Sequence, residues 1–299
     1  MRSRTQTRGF SLVELLVTLT IILILASLTS GGISAARSSQ KTAATRTTIT
    51  KIDQILSAQL ERYASRAVST STPPAGMSRK DFRAWTIRRT MITGDMPDRW
   101  ADVASMAANP TVFTSPAQRT YIATWNSLTA SQKIAVPQAN NSAECLFMVI
   151  MQGGLADCLD CIGLKTADVG DTDGDGMMEF LDAWRNPIEF LLWAPALQLP
   201  AGSGTLFFSG DRSLDAAFNA TGSVRPTLGM RPLVYSPGPD GIGGLDRSGD
   251  GVTLSLGSGP VGRDCGNPQA AALSSAGRPV PNTSAFLDNV TNLDEEAKR

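Results

Sequence analysis

A nineteen-residue apolar run at residues 10–28 is the most prominent pattern in the chain. As a helix it would be about 28 Å long, which is enough to cross the hydrocarbon core of a membrane. It contains one carboxylate, Glu14, and it follows a short polar segment that carries Arg2, Arg4 and Arg8. An ionised carboxylate inside a membrane helix costs about 2.5–3.5 kcal/mol, so Glu14 needs a partner or a function.

A second pattern extends this element beyond the apolar run. Apolar residues recur at three- and four-residue spacing among polar ones, which is typical of a helix that packs one face on a globular domain. We therefore predict a single long helix, with a transmembrane half at residues 10–30 and an amphipathic half at residues 31–68. The apolar stripe consists of Ile49, Ile52, Leu56, Leu60 and Tyr63.

The rest of the chain changes from a helical to a β-like pattern, which predicts an α+β fold. Residues 78–165 are predicted to form a helical insertion, in which Asn141 and Glu144 have the spacing of a capping box. Residues 166–264 combine short apolar segments with turns rich in Gly, Pro and Asp, and residues 265–299 are expected to be a flexible polar tail. Strands predicted at residues 188–193, 206–209, 233–235 and 252–256 would form a small antiparallel sheet against the stripe.

Composition narrows the possible functions. The chain has 299 residues, a formal net charge of zero and no histidine. A neutral chain is not expected to bind nucleic acid. The lack of histidine removes the commonest general base and the commonest transition-metal ligand. Walker and GxSxG motifs are also missing from the sequence, so we predict that the protein is not an enzyme.

The sequence GFSLVELLV at residues 9–17, behind a basic leader at residues 1–9, resembles the prepilin signal of type IV pilins and type II secretion pseudopilins. The resemblance implies that a membrane peptidase cuts after Gly9 and methylates the new amino terminus at Phe10. It also implies that Glu14 pairs with the N-terminal amine of a neighbouring subunit, which is largely protonated at neutral pH. A secretory signal peptide would share the basic start, but its apolar region is shorter and has no use for Glu14.

This resemblance implies an architecture, a location and a set of partners. The fold would be pilin-like, and the chain would cross the bacterial inner membrane once, with its N-terminus in the cytoplasm and its C-terminal domain in the periplasm. Its partners would be like subunits and other pseudopilins through the N-terminal helix, prepilin peptidase, and inner-membrane components of the secretion machine. The alternatives are a type IV pilus or DNA-uptake pilin and, in another class, a membrane-anchored calcium-dependent binding module.

An aspartate-rich loop at residues 171–182 has the spacing of a calcium-binding loop, with Gly176 at the position of the sharp turn. The alternative is an acidic surface turn, because Asp and Gly both favour turns. Five carboxylates within twelve residues repel one another unless a cation neutralises them, which favours calcium. The predicted ligands are Asp171, Asp173, Asp175, Met177 through its backbone carbonyl, Glu179 and Asp182.

A second calcium candidate rests on resemblance. The runs at residues 181–188 and 235–241 resemble the C-terminal region of major type II secretion pseudopilins, in which an Asp-x-Trp-Gly-Asn-Pro segment precedes a calcium-holding loop. This chain has Arg185 where that family has glycine. The resemblance implies that Asp240, Asp246 and Asp250 are calcium ligands, and the alternative is a pair of Gly-Pro turns with incidental acids.

Cys145, Cys158, Cys161 and Cys265 lie in the part of the chain that is expected outside the cytoplasm, where disulfides are favoured. One pairing would join Cys145 to Cys158 or Cys161 and leave Cys265 for the other. Zinc would need all four cysteines, because the chain has no histidine. The third alternative is free or redox-active thiols, with Cys158 and Cys161 as a redox pair. Four cysteines allow three pairings, so the sequence leaves the connectivity open.

Overall fold

The computed structural model describes residues 11–65, 79, 93–109, 115–137, 140–192, 232–243 and 288–292. The chain divides into two compact units, Met1–Ala43 and Ala44–Arg299. Several predicted features lie outside the described residues: the cleavage site at Gly9 and Phe10, the acids Asp246 and Asp250, Cys265, and the strands at residues 206–209 and 252–256.

Helix α1 spans Leu12–Ser65 and confirms the prediction of one long N-terminal helix. In the first unit its apolar side chains are exposed on every side, from Leu12 at 81% to Val17 at 47%. Among the described residues, the structure contains no helix that is long and apolar enough to cross a membrane. The transmembrane assignment of residues 10–30 therefore stays a prediction from the sequence.

The second unit is built around the apolar stripe of α1. Ile49, Ile52, Leu56 and Tyr63 are buried, and Leu60 packs against the same core as a partly buried residue. The five residues of the stripe therefore form one face of the helix, and this face contributes to the hydrophobic core, as the pattern predicts.

Polar residues of α1 fasten three other segments to this helix. Thr45 Oγ1 accepts a hydrogen bond from the backbone N–H of Ala183 at 3.1 Å. The Lys51 ammonium donates to the carbonyl of Gly163 at 2.7 Å. The hydroxyl of Tyr63 donates to Asp95 Oδ2 at 2.6 Å. Polar groups of α1 are thus paired where the helical region and the β region meet the stripe, and two of them, Thr45 and Tyr63, are buried.

The predicted helical insertion contains several short helices in its described parts. The helix at Pro116–Ser127 begins with a capping box, in which Ser115 and Gln118 satisfy each other's backbone N–H groups and Pro116 occupies the first turn. The helices are α2 (Thr93–Asp95), α3 (Trp100–Ala108), α4 (Pro116–Ser127), α5 (Gln132–Ala135) and α6 (Asn141–Phe147), and α6 continues as a π-helical turn at Met148–Gln152.

The capping box predicted at the start of α6 is wrong. The cap residue is Asn140, which has a left-handed backbone with φ of 44° and makes no side-chain cap. The side chain of Asn141 instead accepts a hydrogen bond from the backbone N–H of Trp100 at 2.7 Å. Glu144 accepts one from the indole Nε1 of Trp100. Both side chains of the expected box are therefore used in tertiary contacts with α3.

Two antiparallel sheets form the β region. Strands β1 (Val169–Gly170) and β2 (Glu179–Phe180) pair as a hairpin. Strands β3 (Glu189–Leu191), β4 (Leu233–Ser236) and β5 (Val290–Thr291) form a sheet in the order β3-β4-β5. Strands β3 and β4 confirm the predictions at residues 188–193 and 233–235. Short 3-10 helices lie at Asp160–Ile162, Thr166–Asp168 and Gly238–Asp240.

The prediction of a flexible tail is wrong for residues 288–292. Val290 and Thr291 are buried in β5, where Thr291 pairs with Tyr235. Asn292 accepts a hydrogen bond from the backbone N–H of Val234 at 3.0 Å and donates one to Asp53 of α1 at 2.7 Å. This short segment was missed because its strand is completed by a partner far away in the sequence.

Of the cysteine pairings that the sequence left open, the one that joins Cys145 to Cys158 or Cys161 does not form. Cys158 and Cys161 are joined to each other, with their Cα atoms 5.2 Å apart. Cys145 is a free thiol in the core, and burial raises its pKa well above the ordinary value. A site for zinc that uses all four cysteines does not fit this arrangement, because the disulfide occupies two of the sulfurs.

Asp98 is a buried acid in the segment between α2 and α3. Its Oδ2 accepts a hydrogen bond from the backbone N–H of Leu192 at 2.7 Å. Burial raises the pKa of Asp98 from 3.8 to about 6, while the Leu192 N–H and the charge of Arg99 oppose the shift. The folded chain therefore keeps a proton on Asp98 in a pH range where the unfolded chain has lost it.

We expect the wild-type chain to lose stability, relative to an Asp98→Asn variant, as the pH rises from about 4 to about 6. Asparagine imitates the protonated carboxyl and does not titrate. The difference in unfolding free energy should shift toward the variant by roughly 3 kcal/mol and stay constant above about pH 7. Thermal unfolding of both full-length proteins in detergent across this pH range measures the shift. Parallel pH profiles would contradict the burial argument.

Candidate functional site

The aspartate-rich loop connects β1 to β2, so it lies in a β-hairpin and not between two helices. Asp171 organises the loop, because its Oδ1 accepts the N–H of Gly174 at 2.7 Å and its Oδ2 accepts the N–H of Gly176 at 3.0 Å. Both glycines have positive φ, 79° and 96°. The alternation of Asp and Gly therefore folds locally into turns that other residues rarely adopt.

The next two acids of the loop also bind its backbone. Asp173 Oδ1 accepts the N–H of Asp175 at 3.4 Å, and Asp175 Oδ1 accepts the N–H of Met177 at 2.8 Å. The side chain of Gln132 on α5 donates to the carbonyl of Asp175 at 3.1 Å, and Met177 packs partly buried against the core. The loop is therefore fixed to the rest of the chain by the hydrogen bond from Gln132 to Asp175 and by the packing of Met177.

Two groups of carboxylates in this region bring oxygen atoms within 4.8 Å of one another. The outer group is Asp171, Asp173 and Asp175, and it is largely exposed. The inner group is Glu144, Asp173 and Glu179, in which both glutamates are buried. Asp173 is common to both groups, so the loop joins an exposed cluster to a buried one.

Glu179 begins β2 and faces back toward the loop. Its Oε2 accepts the backbone N–H of Thr172 at 3.1 Å, and its Oε1 accepts the side-chain amide of Asn140 at 3.4 Å. The same amide donates to the hydroxyl of Thr172 at 2.7 Å. The start of the loop is therefore connected to the residue that caps α6.

Burial and mutual repulsion raise the pKa values of these acids. Burial, reinforced by the charges of Asp175, Asp173 and Glu179 and opposed by the hydrogen bond from the indole of Trp100, raises the pKa of Glu144 to about 9. Burial, with the charges of Asp173 and Asp171, raises the pKa of Glu179 to about 7. The pKa of Asp175 is raised by burial and then by the same two aspartates. The region has an excess of negative charge that disfavours ionisation.

Glu144 was not predicted as a member of this site, because its spacing from Asn141 indicated a helix cap. A signal was present, because Glu144 lies directly before the apolar run CLFMVI at residues 145–150. A carboxylate in such a setting needs a partner, which is the argument that singled out Glu14. Its partners in the hairpin could not be identified from spacing, since they lie about thirty residues later in the chain.

Asp182 does not belong to either carboxylate group, so the structure removes it from the predicted ligand set. Its Oδ1 accepts the N–H groups of Trp184 and Asn186 at 2.7 and 2.8 Å. Its Oδ2 accepts the hydroxyl of Ser236 at 2.6 Å. The chain leaves the loop through β2 before it reaches Asp182, so this carboxylate stabilises the turn between β2 and β3.

The two runs that suggested a second calcium site do come together. In addition to the contact between Asp182 and Ser236, the Asn186 side chain donates to the carbonyl of Gly238 at 2.7 Å. Asp240 is exposed, and its Oδ1 accepts the N–H of Ile242 at 2.8 Å. Asp288 is a further acid here, and its pKa is raised by burial and by the charge of Asp240. Sequence spacing gave no indication of Asp288.

At the N-terminal end of α1, Glu14 is exposed in the first turn, and its backbone N–H donates to Ser11 Oγ at 3.2 Å. Within the described residues, no hydrogen bond or ion pair engages its carboxylate. Nearby hydroxyls are satisfied by the helix itself, because Thr18 and Thr20 donate to the carbonyls of Leu15 and Val17 at 2.9 and 2.8 Å. Glu14 is therefore available to a group from outside these residues.

Residues 4–30 match the model of the protein family described as "Prokaryotic N-terminal methylation motif". The N-terminal segment is a type IV pilin-like prepilin signal. The match covers residues 4–9 of the leader, the residues around Phe10 and the apolar part of α1, so it supports a processed pilin-like subunit. No curated protein and no solved structure matches the chain. The prepilin signal does not distinguish a pseudopilin from a pilus subunit.

Outside the prepilin signal, Arg185 is the residue in which this chain departs from the pseudopilin pattern. Its φ is 76°, in the left-handed region that favours glycine. The guanidinium donates a hydrogen bond to the carbonyl of Ala167, which contributes to stability at this position. The arginine therefore adopts the backbone conformation that the family's glycine would adopt without strain.

We expect an Arg185→Gly variant to be more stable than an Arg185→Ala variant by about 1 kcal/mol. Both changes remove the hydrogen bond to Ala167, so the comparison isolates the cost of a Cβ in the left-handed conformation. Thermal unfolding of the two full-length variants in the same detergent gives the difference. A more stable alanine variant would show that the left-handed turn is not maintained.

Proposed function

We propose that this protein is a pseudopilin, a structural subunit that prepilin peptidase processes and that assembles into a periplasmic pilus-like filament of a type II secretion system. The observation that carries the proposal is the prepilin signal at residues 4–30, with Glu14 in the first turn of a long helix. The chain is then a structural component and not an enzyme.

The surface of the first unit supports assembly through the N-terminal helix. Large apolar side chains between Leu12 and Leu25 are exposed around the helix, and a helix surface of that kind is stable when lipid or other helices cover it. In this proposal residues 10–30 hold each subunit in the bacterial inner membrane before assembly, with the N-terminus in the cytoplasm and the C-terminal domain in the periplasm. Like subunits, other pseudopilins and inner-membrane components of the secretion machine are the partners.

The C-terminal region favours a pseudopilin over a type IV pilus or DNA-uptake pilin. The two runs that resemble major pseudopilins contact each other through Asp182 and Ser236 and through Asn186 and Gly238. Deleting the gene distinguishes the alternatives. The pseudopilin proposal requires a loss of exported proteins, whereas a pilin would be expected to affect surface motility or DNA uptake.

Processing at the prepilin signal is the first test. When the chain is produced with a prepilin peptidase, we expect the mature protein to begin at Phe10 and to carry one added methyl group. Mass spectrometry of the N-terminal tryptic peptide measures both. A Gly9→Leu variant, with a bulky residue at the cleavage site, should keep its leader. A mature chain that begins at another residue would contradict the assignment.

Replacing Glu14 tests its role in assembly. A hydrogen bond to a charged group contributes about 1.5–3 kcal/mol, so we expect Glu14→Ala and Glu14→Gln to lower subunit incorporation by about tenfold or more. Membrane insertion should not decrease, because both variants remove a charge from the apolar run. Cross-linking of tagged to untagged copies in membranes measures incorporation.

Thr18→Ala is the matched control for these variants, because Thr18 lies on the same exposed helix and its hydroxyl donates only to the carbonyl of Leu15 among the described residues. It should assemble like the wild type. Equal incorporation of the Glu14→Ala variant and the control would remove Glu14 from the assembly mechanism.

A further inference from the structure

The inner carboxylate group contains a buried oxygen atom that the folded chain leaves without a partner. Glu144 is 1% exposed, and its Oε2 accepts the indole N–H of Trp100. Its Oε1 is buried and has no hydrogen-bond partner among the described residues. Leaving a charged or polar oxygen in this state is costly, so an unpaired carboxylate oxygen beside other acids points to a missing positive ligand.

A second oxygen in the same region has the same property. Asp175 Oδ2 is buried and, within the described part of the chain, makes no hydrogen bond. Asp171, in contrast, has both oxygens engaged by the N–H groups of Gly174 and Gly176. Backbone N–H groups therefore satisfy both carboxylate oxygens of the exposed Asp171. The two oxygens without a hydrogen bond belong to Glu144 and Asp175, which are more buried.

We propose that Glu144, Asp173 and Glu179 bind a divalent cation, which fastens the β1–β2 loop to helix α6. Their carboxylate oxygens lie within 4.8 Å of one another, so one ion can contact all three. The site differs from the twelve-residue loop predicted from the sequence, because Glu144 comes from a helix about thirty residues earlier and Asp182 is bound elsewhere.

Calcium fits this donor set better than other common ions. Three carboxylates are hard oxygen ligands, and the site has no histidine or cysteine to favour zinc or copper. Calcium tolerates irregular geometry and six to eight oxygens at about 2.3–2.6 Å, whereas magnesium requires a near-ideal octahedron. Asp175 lies beside the group and can supply a further oxygen directly or through water. The cation would remove the repulsion among these acids.

The neighbouring indole provides a direct spectroscopic test. Trp100 donates to Glu144, so a lanthanide bound at this site lies next to a tryptophan that can transfer excitation energy to it. Full-length protein in detergent micelles is stripped with EDTA, transferred to chelator-free buffer and titrated with Tb³⁺. We expect Trp-sensitised Tb³⁺ luminescence that saturates and that Ca²⁺ displaces, together with a higher melting temperature in Ca²⁺ than in EDTA.

Two variants locate the site. Glu144→Gln keeps an oxygen for the Trp100 hydrogen bond but removes the charge, and it should weaken Ca²⁺ affinity by about tenfold or more. Asp173→Asn, in the exposed loop, should have a similar effect with little risk to folding. The matched control is Glu189→Gln. Glu189 is a buried glutamate of β3 that accepts a hydrogen bond from the hydroxyl of Tyr235, and its variant should keep a Ca²⁺ affinity within about twofold of the wild type.

The proposal is overturned if the wild type shows neither Ca²⁺-displaceable Tb³⁺ luminescence nor a calcium-dependent melting temperature. It is also overturned if Glu144→Gln and Asp173→Asn both bind calcium like the Glu189→Gln control, because the ion would then lie elsewhere in the chain. These outcomes are independent of leader cleavage and filament assembly, so the cation site can fail while the pseudopilin proposal stands.

Discussion

Burial of one face of α1 is the constraint on which the described structure of residues 44–299 depends. Ile49, Ile52, Leu56 and Tyr63 enter the same core as residues from the helical insertion and from the three-stranded sheet. A helix stripe can be buried only if other segments cover it along its length. The polar contacts of Thr45, Lys51 and Asp53 then select the segments that lie on either side of the stripe.

Buried acids connect distant segments of the chain through hydrogen bonds. Asp182 connects the turn after β2 to β4, and Asp95 receives hydrogen bonds from Tyr63 of α1 and from Tyr121 of α4 through its side chain and its carbonyl, respectively. In both cases N–H or O–H groups surround the acid and compensate for lost hydration. Glu144 is different, because its single described donor leaves one oxygen unsatisfied. Asp175 shares this property, so the contrast separates acids that stabilise the fold from the two acids that indicate a ligand.

The prepilin signal and the proposed cation site act at different levels. In the pseudopilin proposal Glu14 would act between chains, where its partner is the amine of another subunit. Glu144, Asp173 and Glu179 act within one chain, where a cation would hold the hairpin to α6. A filament subunit that is stabilised outside the cytoplasm by calcium would combine both. The disulfide between Cys158 and Cys161 lies in the short segment between α6 and the hairpin, and disulfides are favoured in the oxidising location that the pseudopilin proposal implies.

The sequence by itself determined the features that depend on neighbours along the chain. Periodic apolar residues identified α1 and its buried stripe, β3 and β4 followed from short apolar segments between turns, and the prepilin signal followed from a contiguous motif. Only the tertiary structure decided which distant groups meet. The carboxylate of Glu144 lies beside the acidic hairpin and does not cap a helix, and Asp182 binds Ser236 away from the predicted ligands. Cys158 is paired with Cys161, and residues 290–291 form a strand of the sheet. The physical reason is that spacing encodes the periodicity of a helix or strand, whereas hydrogen bonds and ion contacts across the fold depend on how those elements pack.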